Sequence, residues 1–415
     1  MRRLPCLLAL VTPLALLAGC DDSDEAFDAG PVIVIDAELP PDTAPPEDLP
    51  DAAPDAAPEP DMAPPDPGGL AVLGNGWHTI DKVTLEVIGT EADGLNVPRD
   101  LAFNPWVEPA ELWVVNRADD STTTFFEPGT PEQSSRHLID PYALHFMDEV
   151  SSIDFGQPGT FGTCQESRNT YNGQANANDF MGPTLWPSDL DIYAHTNVNA
   201  VRVVGEDLGS HLDMQHESPL CMGIAWERDN VYWVFEGLTS SIARVDFGVD
   251  HGPGFDDHSD GTITRFAPGE VRRVAGVPSH LWFDHDTKTL YIADTGNARL
   301  AAMDAVAWEY GRQMRPIEPG TVLRAATMAE PMRTVFADDA LEHPSGLAVW
   351  DDHLYLGDNA TGRIYGLTFA GELVDYLDTG LPAGALMGLA FDPAGNLYFV
   401  DAKRDRLLRI LPRGR

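Results

Sequence analysis

A segment of about 22 residues recurs along this chain and limits the folds that the chain can adopt. One copy spans residues 276–297, a second begins at residue 343, and a third spans residues 386–401. Each contains a short apolar strand, a polar turn, and a second apolar strand that ends in a polar residue, usually Asp. A unit this short cannot bury its own apolar faces, so it must stack against neighbouring units. The repeat therefore predicts an assembly of small β-sheets.

Opening strands of this kind begin at six places, and helical periodicity is nearly absent from the region that contains them. They are about 58 residues apart on average, which exceeds one four-stranded propeller blade, and the excess lies mainly in an insertion over residues 165–215. The sixth unit ends after its third strand, while an unassigned strand at 83–89 precedes the first. We therefore predict an all-β six-bladed β-propeller over residues 70–415, closed by the N-terminal strand joining the last blade. The opening strands begin at Val97, Val150, Cys221, Val277, His343 and Leu386.

The N-terminal segment is typical of an export signal. Arg2 and Arg3 precede an apolar core, residues 4–16, that is too short to span a bilayer as a stable helix. Residues 17–20, Leu-Ala-Gly-Cys, resemble the lipobox of bacterial lipoproteins, which implies acylation of Cys20; the alternative is an ordinary signal peptide with a chance Cys. We expect residues 1–19 to be a lipoprotein signal peptide. The protein is then lipid-anchored to a membrane of the bacterial cell envelope, in the periplasm or on the outer surface.

Residues 20–69 are predicted to form a disordered, acidic, Pro- and Ala-rich tether. Residues 21–69 hold 15 Asp and Glu and no Lys or Arg, and such a composition cannot bury enough apolar surface to fold. Residues 70–415 still carry a net charge of −27, from 51 acidic and 24 basic side chains. This charge argues against nucleic acid as a partner, but not against metal cations or basic ligands.

The pattern Pro-x-Gly-Leu-Ala…Leu-Tyr-x-x-Asp…Gly-Arg-Ile, clearest over residues 344–364, resembles the NHL repeat. Weaker copies lie at 278–300 and 387–401. The resemblance implies a six-bladed propeller that is distantly similar to the peptidyl-hydroxyglycine lyases and the gluconolactonase-like propellers. It does not imply one activity, because such propellers include lyases, hydrolases and pure binding modules.

In such folds the inner strands begin at the face that usually binds ligands, and the third residue of the opening motif is expected to face the channel. Asp100 and His280 hold this position and are candidates for a catalytic acid–base pair or for half of a metal site. The alternative is that they hydrogen-bond channel water and backbone. The other four units place Ser152, Gly223, Gly346 and Gly388 there. The candidates for ligand binding near this mouth are Arg99, Ser152, Glu166, Trp186 and Glu236.

Two of these candidates depend on their surroundings. Glu166 and Trp186 belong to the long insertion, whose aromatic residues favour a packed lid over the ligand face. Glu236 ends a second strand, where an acidic side chain also caps the following turn, which is the structural alternative.

Two metal sites are considered. The lyase resemblance implies a zinc held by three His, and His216, His280 and His343 are the residues available for zinc or copper, provided that the loops carrying His216 and His343 fold inward. Separately, Asp256, His258 and Asp260 have the alternate spacing of a calcium loop, although the Glu that should complete it is missing. The alternative for this loop is a plain connection rich in turn-forming residues. No motif indicates an organic cofactor.

Two cysteines remain after the export segment, Cys164 and Cys221. They belong to neighbouring units, and a pair in an exported protein is predicted to form a disulfide. The alternative is a soft-metal pair with His216.

Two functions follow from this sequence. The first is a membrane-anchored extracytoplasmic β-propeller that binds a small molecule, peptide or protein at its channel mouth. The alternative is a metal-dependent lyase or hydrolase that acts on a small molecule or peptide through His280 and Asp100. No complete catalytic set stands at matched positions of the repeats, so the sequence leaves enzymatic activity undecided.

Overall fold

The protein is described by a computed structural model over residues 68–169, 176–195, 208–255, 257–318 and 320–412. The predicted signal peptide, Cys20 and nearly all of the predicted tether lie outside these residues, as does Asp256. None of the helices in the described ranges has the length and apolar character that crossing a membrane requires.

Six sheets form a closed ring, which confirms the predicted β-propeller. The innermost strand of each sheet contacts the innermost strand of the next, and the sixth contacts the first. Apolar side chains from adjacent sheets fill the space between them, so each sheet buries the face that its short strands could not bury alone. The first and fourth blades lie opposite each other, and a contact between their inner strands therefore crosses the channel.

The strands are numbered along the chain. Within each blade they are given in order from the innermost strand at the channel to the outermost. An N-terminal strand, β1 (Val83–Gly89), precedes the first blade. The first blade contains β2 (Pro98–Phe103), β3 (Glu111–Asn116), β4 (Ser121–Phe126) and β5 (Ser134–Ile139). The second contains β6 (Val150–Phe155), β7 (Thr160–Gln165), β8 (Thr184–Pro187) and β9 (Asp213–Met214). The third contains β10 (Cys221–Arg228), β11 (Val231–Glu236), β12 (Ser241–Asp246) and β13 (Thr262–Phe266).

The remaining blades follow the same order. The fourth contains β14 (Leu281–Asp284), β15 (Thr289–Asp294), β16 (Arg299–Asp304) and β19 (Arg333–Phe336), and the chain forms β17 (Trp308–Gln313) and β18 (Val322–Met328) between the last two. The fifth contains β20 (Pro344–Trp350), β21 (His353–Asp358), β22 (Arg363–Thr368) and β23 (Leu373–Asp378). The sixth contains β24 (Leu386–Phe391), β25 (Leu397–Asp401) and β26 (Arg406–Pro412). Short helices lie at Ala71–Leu73, Ile80–Lys82, Glu91–Asp93, Ala143–Phe146 and Thr295–Asn297.

The N-terminal strand closes the ring as predicted. Strand β1 pairs antiparallel with β26, from Val83 opposite Pro412 to Gly89 opposite Leu407. An ion pair between Arg409 and Glu86, at 2.6 Å, joins the same two strands. The last sheet thus takes one strand from the start of the chain and three from its end.

A hairpin inserted in the fourth blade leaves that blade and extends the third, which the sequence did not predict. Strand β18 pairs in parallel with β13, and β17 pairs with β18, so the third sheet has six strands. The loop between β17 and β18 is thereby carried to the outer side of the second and third blades.

The predicted disulfide between Cys164 and Cys221 is confirmed, with a sequence separation of 57 residues. It joins β7 of the second blade to β10 of the third. The prediction of a lid is wrong for residues 184–187 of the insertion, because they form β8. Trp186 is fully buried in this blade, where its indole N–H donates to Thr163 at 2.9 Å and its ring stacks on Phe161.

Candidate functional site

A cavity of about 430 Å³ occupies the channel along the second half of the inner strands. Four aromatic side chains line it: Phe103, Trp282, Trp350 and Phe391. The cavity reaches the loops that follow the inner strands, at residues 104–110 and 392–393. It therefore opens at the face opposite the one that we predicted to bind ligand.

Deeper in the cavity, six aliphatic side chains form a collar. Each inner strand contributes the residue that follows its predicted channel-facing position, the position that Asp100 and His280 hold in their strands. All six side chains are only 3–6% exposed. The collar follows directly from the repeat, because the same motif position is Leu or Ile in every blade. The six residues are Leu101, Ile153, Ile224, Leu281, Leu347 and Leu389.

The structure brings Asp100 and His280 together across the channel. Asp100 Oδ2 lies 3.4 Å from His280 Nε2, and both residues line the cavity while remaining 7% and 4% exposed. The Asp100 carboxyl also accepts the backbone N–H groups of Leu101 at 2.8 Å and Ile153 at 3.0 Å. His280 Nε2 lies 3.4 Å from the Ser151 carbonyl oxygen as well. The pair forms the polar floor of an otherwise apolar cavity.

Burial sets the protonation of this pair. It raises the pKa of Asp100 well above its ordinary value, against the effect of the two backbone N–H donors. It lowers the pKa of His280 to about 4, because the imidazolium form loses its hydration. Burial therefore favours the uncharged form of each group, a carboxylic acid and a neutral imidazole. Such a pair can both donate and accept a hydrogen bond, and it has the groups needed to give and take a proton.

The three glycines of the channel ring are explained by close approach of neighbouring strands. A Cβ on Gly223 would lie 2.0 Å from the carbonyl oxygen of Ser279, and one on Gly346 would lie 2.3 Å from that of Met387. A Cβ on Gly388 would lie 2.5 Å from Asp100 Oδ1. These positions therefore lack side chains because the inner strands pack against one another there.

A polar network spans the channel at the opposite mouth, where the inner strands begin. The buried guanidinium of Arg99 donates to the carbonyl oxygen of Gly276, which precedes the fourth blade, and burial lowers the pKa of Arg99 to about 10. Glu166 accepts the backbone N–H of Gly276 at 2.7 Å and Nη1 of Arg273 at 2.9 Å. Two predicted ligand-binding residues, Arg99 and Glu166, thus bind protein groups at this mouth.

The other three predicted ligand-binding residues also lie away from the lining of the described cavity. Trp186 belongs to the core of the second blade, and Ser152 is fully buried in β6. The Glu236 carboxylate accepts the backbone N–H groups of Leu238 at 2.8 Å and Thr239 at 3.1 Å. Glu236 thus caps the following turn, which was the structural alternative.

The three His predicted to hold zinc or copper lie in different places. His280 is in the channel, whereas His216 contacts Glu318 at 3.0 Å at the outer side of the second and third blades. His343 is half-buried just before β20, where its backbone N–H donates to Asp358. Within the described ranges, His216, His280 and His343 therefore do not form one ligand set.

In the predicted calcium loop, Asp260 groups with Asp213 and His251 as possible ligands, whereas His258 belongs to a different group. His258 is buried, and its Nδ1 lies 2.6 Å from Asp213. Asp260 is more exposed, accepts the Val249 backbone N–H at 2.9 Å and contacts His251 at 3.1 Å. Asp256 lies outside the described residues, so its part in this loop stays a prediction.

Sequence reasoning missed the aromatic wall of the cavity. Its signal was present in the repeats, because the inner strands of the first and sixth units end in Ala-Phe at Phe103 and Phe391, and that of the fifth ends in Val-Trp at Trp350. The predicted channel residues lie near the start of each inner strand, whereas the aromatic residues lie at its end.

No model of a protein family matches the chain, and no curated protein is similar to it in sequence at the threshold applied. Among solved structures, an auxiliary nutrient binding protein from Bacteroides thetaiotaomicron is 12% identical, with 76% of this chain and 68% of that chain covered and a TM-score of 0.47. A virginiamycin B lyase from Staphylococcus aureus is 11% identical over 79% and 85% of the two chains, with a TM-score of 0.45. A gluconolactonase from Xanthomonas campestris is 13% identical over 84% and 95%, with a TM-score of 0.47. The assignment to NHL repeats stays a prediction.

Proposed function

We propose that this protein is a lipid-anchored, extracytoplasmic binding module that takes a small molecule into its channel cavity. The observation that carries the proposal is the cavity itself, with aromatic walls, an aliphatic collar, and one hydrogen-bonding pair at its floor. A largely apolar, concave site with a few convergent polar groups is the usual form of a small-molecule site, and about 430 Å³ lies within the range of such sites.

The lining restricts the chemistry of the ligand. Among the described residues that line the cavity, the carboxyl groups are those of Asp100, Asp154, Glu108 and Asp392. The only basic side chain among them is His280, which burial keeps neutral at pH 7. An anionic ligand would meet unfavourable electrostatics there. The proposed ligand is a neutral or cationic molecule with an apolar or aromatic body and one polar group that reaches the Asp100–His280 pair.

Fluorescence titration tests the binding proposal. The mature protein is screened against neutral and cationic aromatic amines, dipeptides and monosaccharides, with tryptophan emission as the readout because Trp282 and Trp350 line the cavity. For a compound that binds, Trp350→Ala is expected to weaken binding by tenfold or more, whereas Tyr310→Ala, on the exposed outer hairpin, leaves it unchanged. Equal effects of the two substitutions, or binding by anionic analogues alone, would contradict the proposal.

A second candidate function is the lyase or hydrolase activity, and one observation favours it. The Asp100 carboxyl and the His280 imidazole lie in contact at the floor of an open cavity, which is a suitable pair for general acid–base chemistry. In this case a compound that binds would also be converted, and His280→Gln would abolish conversion while retaining binding. If the activity requires zinc or copper at His280, then His280→Ala would also remove one equivalent of that metal. If a compound binds and is not converted, the binding function is supported and the enzymatic one is not.

The membrane anchor is tested separately. Cys20→Ser is expected to move the protein from the detergent phase to the aqueous phase in a detergent partition experiment, because it removes the acylated thiol. An unchanged distribution would contradict the lipoprotein assignment without affecting the cavity.

A further inference from the structure

Four buried histidines gather outside the channel, at the outer side of the second and third blades. The chain has 12 His in all, and these four are only 0–7% exposed. They come from segments that connect or extend the blades: the helix before β6, the segment around β9, and the loop before β13. The four residues are His145, His211, His216 and His258.

The tip of the inserted hairpin brings a carboxylate to this cluster. Glu318, between β17 and β18, places Oε2 3.0 Å from Nδ1 of His216. Glu217 fixes the hairpin tip, because its carboxylate accepts the backbone N–H groups of Ile317 and Glu318. The excursion of the hairpin from the fourth blade to the third thus delivers an oxygen ligand to a group of imidazoles.

From this geometry we propose that His216, His258 and Glu318 bind a divalent transition metal, with zinc the best match to the ligand set. One ligand atom from each residue lies within 4.8 Å of the others. Ligands of a tetrahedral zinc with bonds of 2.0–2.1 Å stand about 3.3 Å apart. The 3.0 Å contact between His216 and Glu318 is near this value, and His258 must approach by a small side-chain movement. Two imidazoles and one carboxylate are a common protein ligand set for zinc.

A second shell of side chains orients the proposed ligands. Asp213 Oδ1 lies 2.6 Å from His258 Nδ1, so a buried carboxylate fixes the orientation of this ring. Metal-binding His commonly donate their other ring N–H to a carboxylate in this way. Nε2 of His216 contacts Nε2 of His145 at 3.3 Å, while Nδ1 faces Glu318. The metal would replace the hydrogen bond between His216 and Glu318 and retain the two second-shell contacts.

One further observation favours positive charge here. Asp213 is fully buried, and its Oδ2 has no hydrogen-bond partner in the described part of the chain. A buried carboxylate oxygen without such a partner is costly unless positive charge is nearby. The ring of Phe180 stacks on His216 with a centroid distance of 3.7 Å, and Phe146 stacks on His211 at 3.6 Å. These aromatic contacts fix the ring orientations and shield the cluster from water. The metal would tie the hairpin to the second and third blades.

Metal analysis of the full chain tests this proposal. The protein carries a tag without histidines, is stripped with EDTA and is then titrated with ZnCl₂. The wild type is expected to bind one equivalent tightly, and its melting temperature should rise by several degrees on binding. His258→Ala and Glu318→Gln should each lower zinc affinity at least tenfold. His353→Ala, at a partly buried histidine that begins β21, and His280→Ala, in the channel, should retain the equivalent.

Three outcomes would overturn the proposal: a wild type that binds no zinc, a Glu318→Gln variant that binds zinc like the wild type, or equal loss in His353→Ala. Loss only in His280→Ala would assign the metal to the channel instead. Loss of zinc in a variant could also result from misfolding. Substitution of the zinc by Co²⁺ avoids this problem, because the spectrum is measured on the wild type. A bound Co²⁺ with nitrogen and oxygen ligands in tetrahedral geometry should give strong visible absorption, and a weak octahedral spectrum would also count against the site.

Discussion

Asp100 and Asp154 make the same kind of hydrogen bond in successive blades. Each carboxyl accepts a backbone N–H from the inner strand of the next blade. Asp100 accepts from Ile153, and Asp154 Oδ2 accepts from Trp226 at 2.7 Å. The exposed edges of inner strands need such partners, because an unpaired backbone N–H beside an apolar cavity is unfavourable. These acidic residues therefore stabilise the ring irrespective of any ligand.

We predict that Asp154→Asn alters the pH dependence of stability. Burial raises the pKa of Asp154 to about 7 in the folded protein, above its ordinary value of 3.8. The stability that this group contributes is thus fully present below about pH 4 and is lost as the pH rises through 7. Asn keeps an acceptor for the Trp226 N–H but cannot ionise. Urea unfolding at pH 5 and pH 8 should therefore show a smaller loss of unfolding free energy in the variant.

The matched control for this change is Asp352→Asn, on an exposed turn of the fifth blade. It should reproduce the wild-type difference between the two pH values. If Asp154→Asn also reproduces that difference, the Asp154 carboxyl does not titrate as described.

Gly388→Ala should disturb the Asp100–His280 pair without adding charge or polarity. The new Cβ would lie 2.5 Å from Asp100 Oδ1, so the carboxyl must move. Overpacking of this kind costs about 1–3 kcal/mol of unfolding free energy. Gly311→Ala, on the exposed hairpin, has its nearest contact at 3.1 Å and should cost less. Thermal unfolding of both variants measures the difference, and equal melting temperatures would contradict the close packing at Gly388.

At the scale of strands, the repeat predicted those strands and pairings that follow from the local pattern of apolar residues. Strand β20 and the closing pair of β1 with β26 follow from alternating apolar residues and from a missing outer strand. The position of the β17–β18 hairpin could not be predicted. Nothing in the sequence of these two strands specifies that β18 pairs with β13 of the third blade. The cluster around His216 was missed for the same reason, since its members are separated by up to about 170 residues and meet only through that pairing.

The disulfide is an element-scale restraint between β7 and β10, and its removal should be costly. For a separation of 57 residues, the chain-entropy estimate of its contribution is about 4 kcal/mol. We expect Cys164→Ser with Cys221→Ser to lower the unfolding free energy by about 2–4 kcal/mol in denaturant titration. The single variants should lose about as much, because either one removes the bond. A double variant as stable as the wild type would mean that blade packing alone holds these strands together.

At the scale of the whole molecule, stability depends on closure of the ring. Strand β1 supplies the outer strand of the sixth sheet, and without it β26 becomes an exposed edge. Leu85 and Val83 pack in the apolar cluster shared by the fifth and sixth blades, so losing β1 also opens that cluster to water. An open ring with a bare edge strand is expected to aggregate.

A pair of truncations tests this dependence on closure. Removal of residues 1–67 deletes only the segment before the described chain and should leave the melting temperature unchanged, with no aggregate in gel filtration. Removal of residues 1–90 also deletes β1 and should give a protein that melts at least 10 °C lower or elutes as aggregates, since a whole strand pairing and its apolar contacts are lost. Glu86→Gln in the 68–415 chain, which removes only the ion pair with Arg409, should have a small effect, because that pair is partly exposed. If the longer truncation gives a stable protein that does not aggregate, five complete sheets and a three-stranded sixth sheet are sufficient for the folded ring. Pairing of β1 with β26 would then not be required for its stability.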